Sequence, residues 1–121
     1  MDAASIAGAL GKIGYDVDLY LDLCRICLQE IPVLRERLAG CPAQGSEEVF
    51  RLAHSCKNTC GAIGADICAA LCARVETAAR AGDAGETGAL VGELVPELVR
   101  VEATVRRVLE DPVAYGLVPP E

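Results

Sequence analysis

Arg51-Leu52-Ala53-His54-Ser55-Cys56-Lys57-Asn58 contains the single histidine of a chain of 121 residues. Val49, Leu52, Ala53, Cys56, Cys60 and Ile63 recur at the i, i+3, i+4, i+7 spacing of a buried helix face. His54 lies off that face. Phe50, His54, Lys57, Asn58 and Gly61 fall on an adjoining stripe, which puts an imidazole, an ammonium and a side-chain-free glycine on one accessible patch. Neutral imidazole is a nucleophile near pH 7, and an adjacent cation offsets the charge of a phosphate. The patch is suited to chemistry on a phosphoryl group.

A second helix face supplies its complement. After the break at Ile63-Gly64-Ala65, the residues Ala69, Ala73, Glu76 and Arg80 share one side, with small alanines leaving the surface open. In an antiparallel hairpin His54 lies roughly ten residues before the break, so its level on the neighbour is roughly ten to twelve residues after it, given equal rise. That level is Arg74 to Glu76, which places Glu76 or Arg80 within reach of the imidazole or of a phosphate bound there.

The elements that position these residues read as helices throughout. Ala3 to Ile13 forms a short N-terminal helix, and from Asp16 to Glu30 the residues Val17, Leu19, Tyr20, Leu23, Cys24, Cys27 and Leu28 make an apolar stripe. Pro32 either opens a short further helix to Leu38 or kinks a continuous one. Gly40 to Gly45 is the clearest loop, and Ser46 has the character of an N-cap followed by first-turn acids. The next helix runs from Ala65 to about Ala81 with Ile67, Cys68, Leu71, Cys72, Val75 and Ala79 inward. The last runs from about Glu86 to Leu109 with Leu90, Leu94, Val95, Leu98, Val101, Val105 and Val108 in register. Pro96 predicts a kink or break within it. Residues 112–121, ending in Pro119-Pro120-Glu121, read as a tail. Short connections between antiparallel amphipathic helices predict an all-α, up-and-down four-helix bundle with one additional short N-terminal helix, in a single domain.

Composition agrees. Hydrophobic residues make up 52% of the chain but aromatic ones only 3%, so the core is filled by Leu, Val, Ile, Ala and Cys. A formal charge of −7 argues against nucleic acid and anionic membrane as partners. No apolar run is long enough to span a bilayer, and the start lacks a basic signal region, so a cytoplasmic location is expected. The seven cysteines are an odd number, and Cys56/Cys60 and Cys68/Cys72 are i, i+4 pairs that cannot bridge within one helix. No pair is flanked by the turn glycines of a zinc knuckle. The expectation is that the thiols pack the core without metal, with Cys41 the most exposed.

Ala53-His54-Ser55-Cys56-Lys57-Asn58, Ile63-Gly64-Ala65, Leu71-Cys72-Ala73-Arg74-Val75-Glu76 and Arg80-Ala81-Gly82-Asp83 together resemble the histidine-containing phosphotransfer domain of bacterial multistep phosphorelays, over about residues 8–110. Gly8 to Gly14 and Leu19-Tyr20-Leu21-Asp22-Leu23 look like its N-terminal region. The resemblance implies a phosphocarrier without kinase activity of its own, in which His54 accepts a phosphoryl group from a receiver-domain aspartate and passes it to another. It implies Lys57 as the phosphate-stabilising lysine and Asn58, Gly61, Glu76 and Arg80 as stabilising or docking residues. Partners would be response-regulator receiver domains and a hybrid histidine kinase, acting on a monomer that needs no cofactor, with the divalent metal held by the receiver. Asn58 departs from the family pattern, which has glycine there; its side chain would either obstruct a docking receiver or offer the phosphate an amide donor. A histidine-kinase hairpin is an alternative, but Ser55 stands where those hairpins place an acid, and no nucleotide-binding glycine loop is present. A metal or redox sensor built on the cysteines is another.

Overall fold

A computed structural model describes residues 1–41 and 45–118. Five α-helices follow one another: α1 Ala3–Lys12, α2 Val17–Ala39, α3 Ser46–Ile63, α4 Asp66–Arg80 and α5 Ala84–Glu110, then a 3₁₀ turn over Pro112–Tyr115. Among the described residues there is no strand. The expected loop at Gly40 to Gly45 and the expected tail both fall in part outside the described residues.

Local chemistry sets the helix starts. Asp2 and Ser5 form a reciprocal capping box at α1, the Asp16 carboxylate accepts from Leu19 N–H at 3.0 Å, and that of Asp83 accepts from Glu86 N–H at 3.0 Å. At α3 the expected Ser46 cap is displaced by one residue. Gly45, at φ 85°, takes the cap position, and Ser46 is already helical. Pro32 and Pro96 interrupt nothing: α2 and α5 each run through as one helix, so the extra helix at Pro32 and the break near Pro96 do not form.

The long helices close a ring in which α2 packs on α3 and α5, and α4 packs on α3 and α5, with α1 laid on α3. This is the expected four-helix bundle with a short N-terminal helix. Its core includes Tyr20, Ile31, Leu38, Val49, Leu52, Ile63, Val75, Leu94, Leu98 and Val105. Tyr20 crosses from α2 to the end of α3, where its buried hydroxyl donates to Ile63 C=O at 2.6 Å. Arg35 of α2 pairs bidentately with the buried Glu102 of α5, at 3.2 and 3.3 Å.

Two inward assignments and the tail need correcting. Leu19 is 43% exposed and Ile67 is 68% exposed, because the faces of α2 and α4 centre on Tyr20/Cys24/Cys27 and on Cys68/Cys72/Val75. Ile67 is one helical step, about 100°, from the centre of its face. The expected tail is not free as far as Val118, since Leu117 is fully buried against the bundle.

The α3–α4 hairpin turns on Gly64, a left-handed C-cap at φ 86° whose N–H reaches Cys60 and Gly61 carbonyls. A Cβ built there would lie 2.4 Å from the Ser5 carbonyl oxygen, so α1 can seat against the turn only over a glycine.

Candidate functional site

The site occupies the outer seam of the α3–α4 hairpin. Because Leu52, Ala53 and Cys56 are committed to the core, His54 is turned out between them, with its side chain 53% exposed. Lys57 follows on the next turn, half-buried at 35%. From α4, Glu76 reaches across to both. Its side chain is 11% exposed, one oxygen lies 3.2 Å from His54 Nδ1, and the other lies 2.7 Å from Lys57 Nζ. The hairpin register predicts this level; of the two candidates on that face, Glu76 is the one that meets the imidazole.

Arg80, one turn further along α4, instead places its guanidinium 4.7 Å from the centre of the Phe50 ring, a cation–π contact. Phe50 in turn stacks on the His54 ring at 6.0 Å and 14°. Phe50, Lys57, Ala73, Glu76, Thr77 and Arg80 line a cleft of about 250 Å³. Sequence reasoning put Phe50 on the accessible stripe without giving it a part. The i, i+4 spacing of Phe50 and His54 was the available signal. Thr77 had none, because its relevance depends on how α4 is rotated against α3.

Asn58 is exposed on the solvent side of α3. Gly61 does not join the imidazole. It lies two turns away, lining a crevice against α1 with Ala4, Gly8, Lys12 and Gly64, and a Cβ built on it would meet nothing within 4 Å. The glycine that a neighbouring backbone approaches closely is Gly64.

Electrostatically the site pivots on Glu76. Burial resists its ionisation, but the ammonium of Lys57 and the His54 ring bond to it and outweigh that resistance, holding the carboxyl below its ordinary range. An ionised carboxylate only accepts hydrogen bonds, so His54 Nδ1 is the donor toward it. The proton therefore sits on Nδ1, and the Nε2 lone pair is left for an incoming electrophile. Because the folded state holds this carboxyl below its ordinary range, the contribution of Glu76 to stability is complete above the ordinary carboxylate range and is lost as pH falls through the lowered value. Glu76→Gln should consequently melt below the parent at pH 7, with the two converging in acid once the pH has fallen below the lowered value of the carboxyl. Thermal scans at the two pH values check this, and a gap that persists in acid would show that shape, not charge, accounts for the loss.

No helix among the described residues is long and apolar enough to cross a membrane. Neither the curated proteins nor the solved structures yield a match to this chain. Among protein families, the Hpt domain matches residues 22–110, which takes in α3, α4, most of α2 and all of α5. That span is well over half of the chain and contains every residue of the His54 cleft, so this all-helical protein belongs to the Hpt domain family, the phosphotransfer modules of phosphorelays.

Proposed function

We propose that His54 Nε2 accepts a phosphoryl group from the aspartyl phosphate of a receiver domain and passes it to the aspartate of a second receiver, with a hybrid histidine kinase at the head of the relay. The observation that carries this reading is the Glu76 carboxylate set between His54 Nδ1 and Lys57 Nζ. In the accepting step the Nε2 lone pair attacks phosphorus. The N–P bond forms as the acyl O–P bond breaks, and the bonding pair returns to the receiver as a carboxylate. No proton leaves the attacking nitrogen, because the ring proton is on Nδ1. The ring instead gains positive character, which Glu76 faces at 3.2 Å. Lys57 offsets the phosphoryl oxygens, and the metal that assists transfer belongs to the receiver. Delivery runs the same step in reverse onto a new aspartate.

Incubation with a panel of phosphorylated receiver domains tests the reading. Label should move to this chain and onward within the panel, on a bond that is acid-labile and alkali-stable, as a phosphoramidate is. Label that survives acid, or never leaves the receivers, overturns it.

Asn58, one turn beyond His54 and exposed, is placed to sort receivers by clash. Asn58→Gly is expected to keep transfer from the true receiver within roughly tenfold, about 1.4 kcal/mol, while admitting non-cognate receivers. Unchanged selectivity across the panel would remove Asn58 from partner choice, and collapse with the true receiver would make its amide a phosphate ligand instead.

A further inference from the structure

Inside the same hairpin, behind the histidine, two helices bring four cysteines together. Cys56 and Cys60 stand one turn apart on α3, Cys68 and Cys72 one turn apart on α4, and all four are at most 1% exposed. The antiparallel turn at Gly64 sets Cys60 opposite Cys68, with the sulfurs 3.4 Å apart. The Sγ atoms of Cys56, Cys68 and Cys72 all lie within 4.8 Å of one another. Four sulfurs around a tetrahedral zinc ion, at Zn–S of about 2.3 Å, stand about 3.8 Å from each other. Cys56, Cys68 and Cys72 lie close enough to share such an ion, and Cys60 stands beside Cys68, outside that group of three. Elsewhere in the chain a thiol finds oxygen: Cys27 donates to Thr59 C=O at 3.6 Å, and Cys41 lies 3.9 Å from Arg37 C=O. The four central thiols face sulfur.

We infer that Cys56, Cys68 and Cys72, joined by Cys60 from its place beside Cys68 as the fourth sulfur, form a buried site for a thiophilic divalent ion, zinc by its preference for tetrahedral sulfur. Spacing leaves a metal site open as an alternative, and the missing knuckle turn weighs against it. Its two ligand pairs come from the interiors of two helices, and only the register of the hairpin makes them converge. Each thiol that binds releases its proton to solvent, and the ion takes up the thiolates without change of oxidation state. Since the sulfurs are sealed from water, loading accompanies folding instead of following it. The bound ion would pin α3 to α4 from within, on the side of the hairpin opposite the cleft.

The test uses the full chain, reduced, unfolded and refolded with Co²⁺ or Zn²⁺. Expected are one ion per chain, the near-ultraviolet thiolate-to-cobalt charge-transfer bands of a tetrahedral sulfur site, displacement of cobalt by zinc, and a higher melting temperature with either metal. Cys56→Ala and Cys72→Ala should each weaken zinc binding at least tenfold, whereas Cys24→Ala, Cys27→Ala and Cys41→Ala should not. Should the core variants fail to fold, X-ray absorption at the zinc edge of the parent protein decides by counting sulfur neighbours. The inference falls if refolded protein shows no charge-transfer band, if the first shell is nitrogen or oxygen, if binding survives in folded Cys56→Ala and Cys72→Ala, or if the chain isolates two hydrogens lighter with a Cys60–Cys68 disulfide and no metal.

Discussion

His54→Gln is expected to lower phosphoryl acceptance from a phosphorylated receiver by at least about a thousandfold, roughly 4 kcal/mol of barrier, because the amide offers no nitrogen lone pair. Stability should hardly respond. The side chain is half in solvent, outside the Leu52/Ala53/Cys56 face, and exposed substitutions of this kind shift stability by under about 0.5 kcal/mol. Circular dichroism and melting curves of the variant should therefore overlay those of the parent while radiolabel from the receiver is lost. Labelling that persists in the folded variant would place the acceptor elsewhere and end the proposal for His54.

The largest structural effect is expected at Gly64. An L side chain there would have to hold φ near 86°, and its Cβ would meet the Ser5 carbonyl oxygen at 2.4 Å. Backbone strain of about 1–3 kcal/mol and overpacking of about 1–3 kcal/mol add in the same direction. Gly64→Ala should thus cost roughly 3 kcal/mol, lowering the melting temperature by about 10 °C. Gly61→Ala is the control. Three residues earlier on the same helix, its Cβ meets nothing within 4 Å, so the variant should match the parent or gain up to about 1 kcal/mol of helix propensity. Urea unfolding of the pair decides: equal stabilities would mean that α1 is not seated on the turn.

The contrast between these glycines shows where sequence reasoning stops. Periodicity names a buried face well when the face is wide and the helix long, as with Val49 to Ile63, every member of which is buried. It is weaker at a first turn and along an edge, and Ile67 and Leu19 were misplaced there by about one helical step. Proline told less than expected, because tertiary packing on both sides of α2 and α5 holds those helices continuous. In the site, the level of Glu76 follows from counting rises along a hairpin, which needs only the break at Gly64. The part played by Phe50 and the convergence of four sulfurs depend on the rotation of one helix against its neighbour, and no single-helix pattern encodes that angle.

Glu76 faces two groups at once, and this has a consequence for the energetics of a relay. A module that must surrender what it receives works best when the loaded and empty forms lie close in free energy, since a deep well on either side would stall traffic. In the empty form Glu76 occupies Lys57. On the proposed mechanism an arriving phosphoryl group would draw the ammonium toward it, and the carboxylate, losing one counter-ion, would retain the ring that had just become cationic. What the lysine would forfeit on one side it would recover on the other, and the same would hold for the glutamate. The triad would thus act as a counterweight, keeping the proposed exchange nearly level so that the relative abundance of phosphorylated partners, and not the carrier, would set the direction of flow.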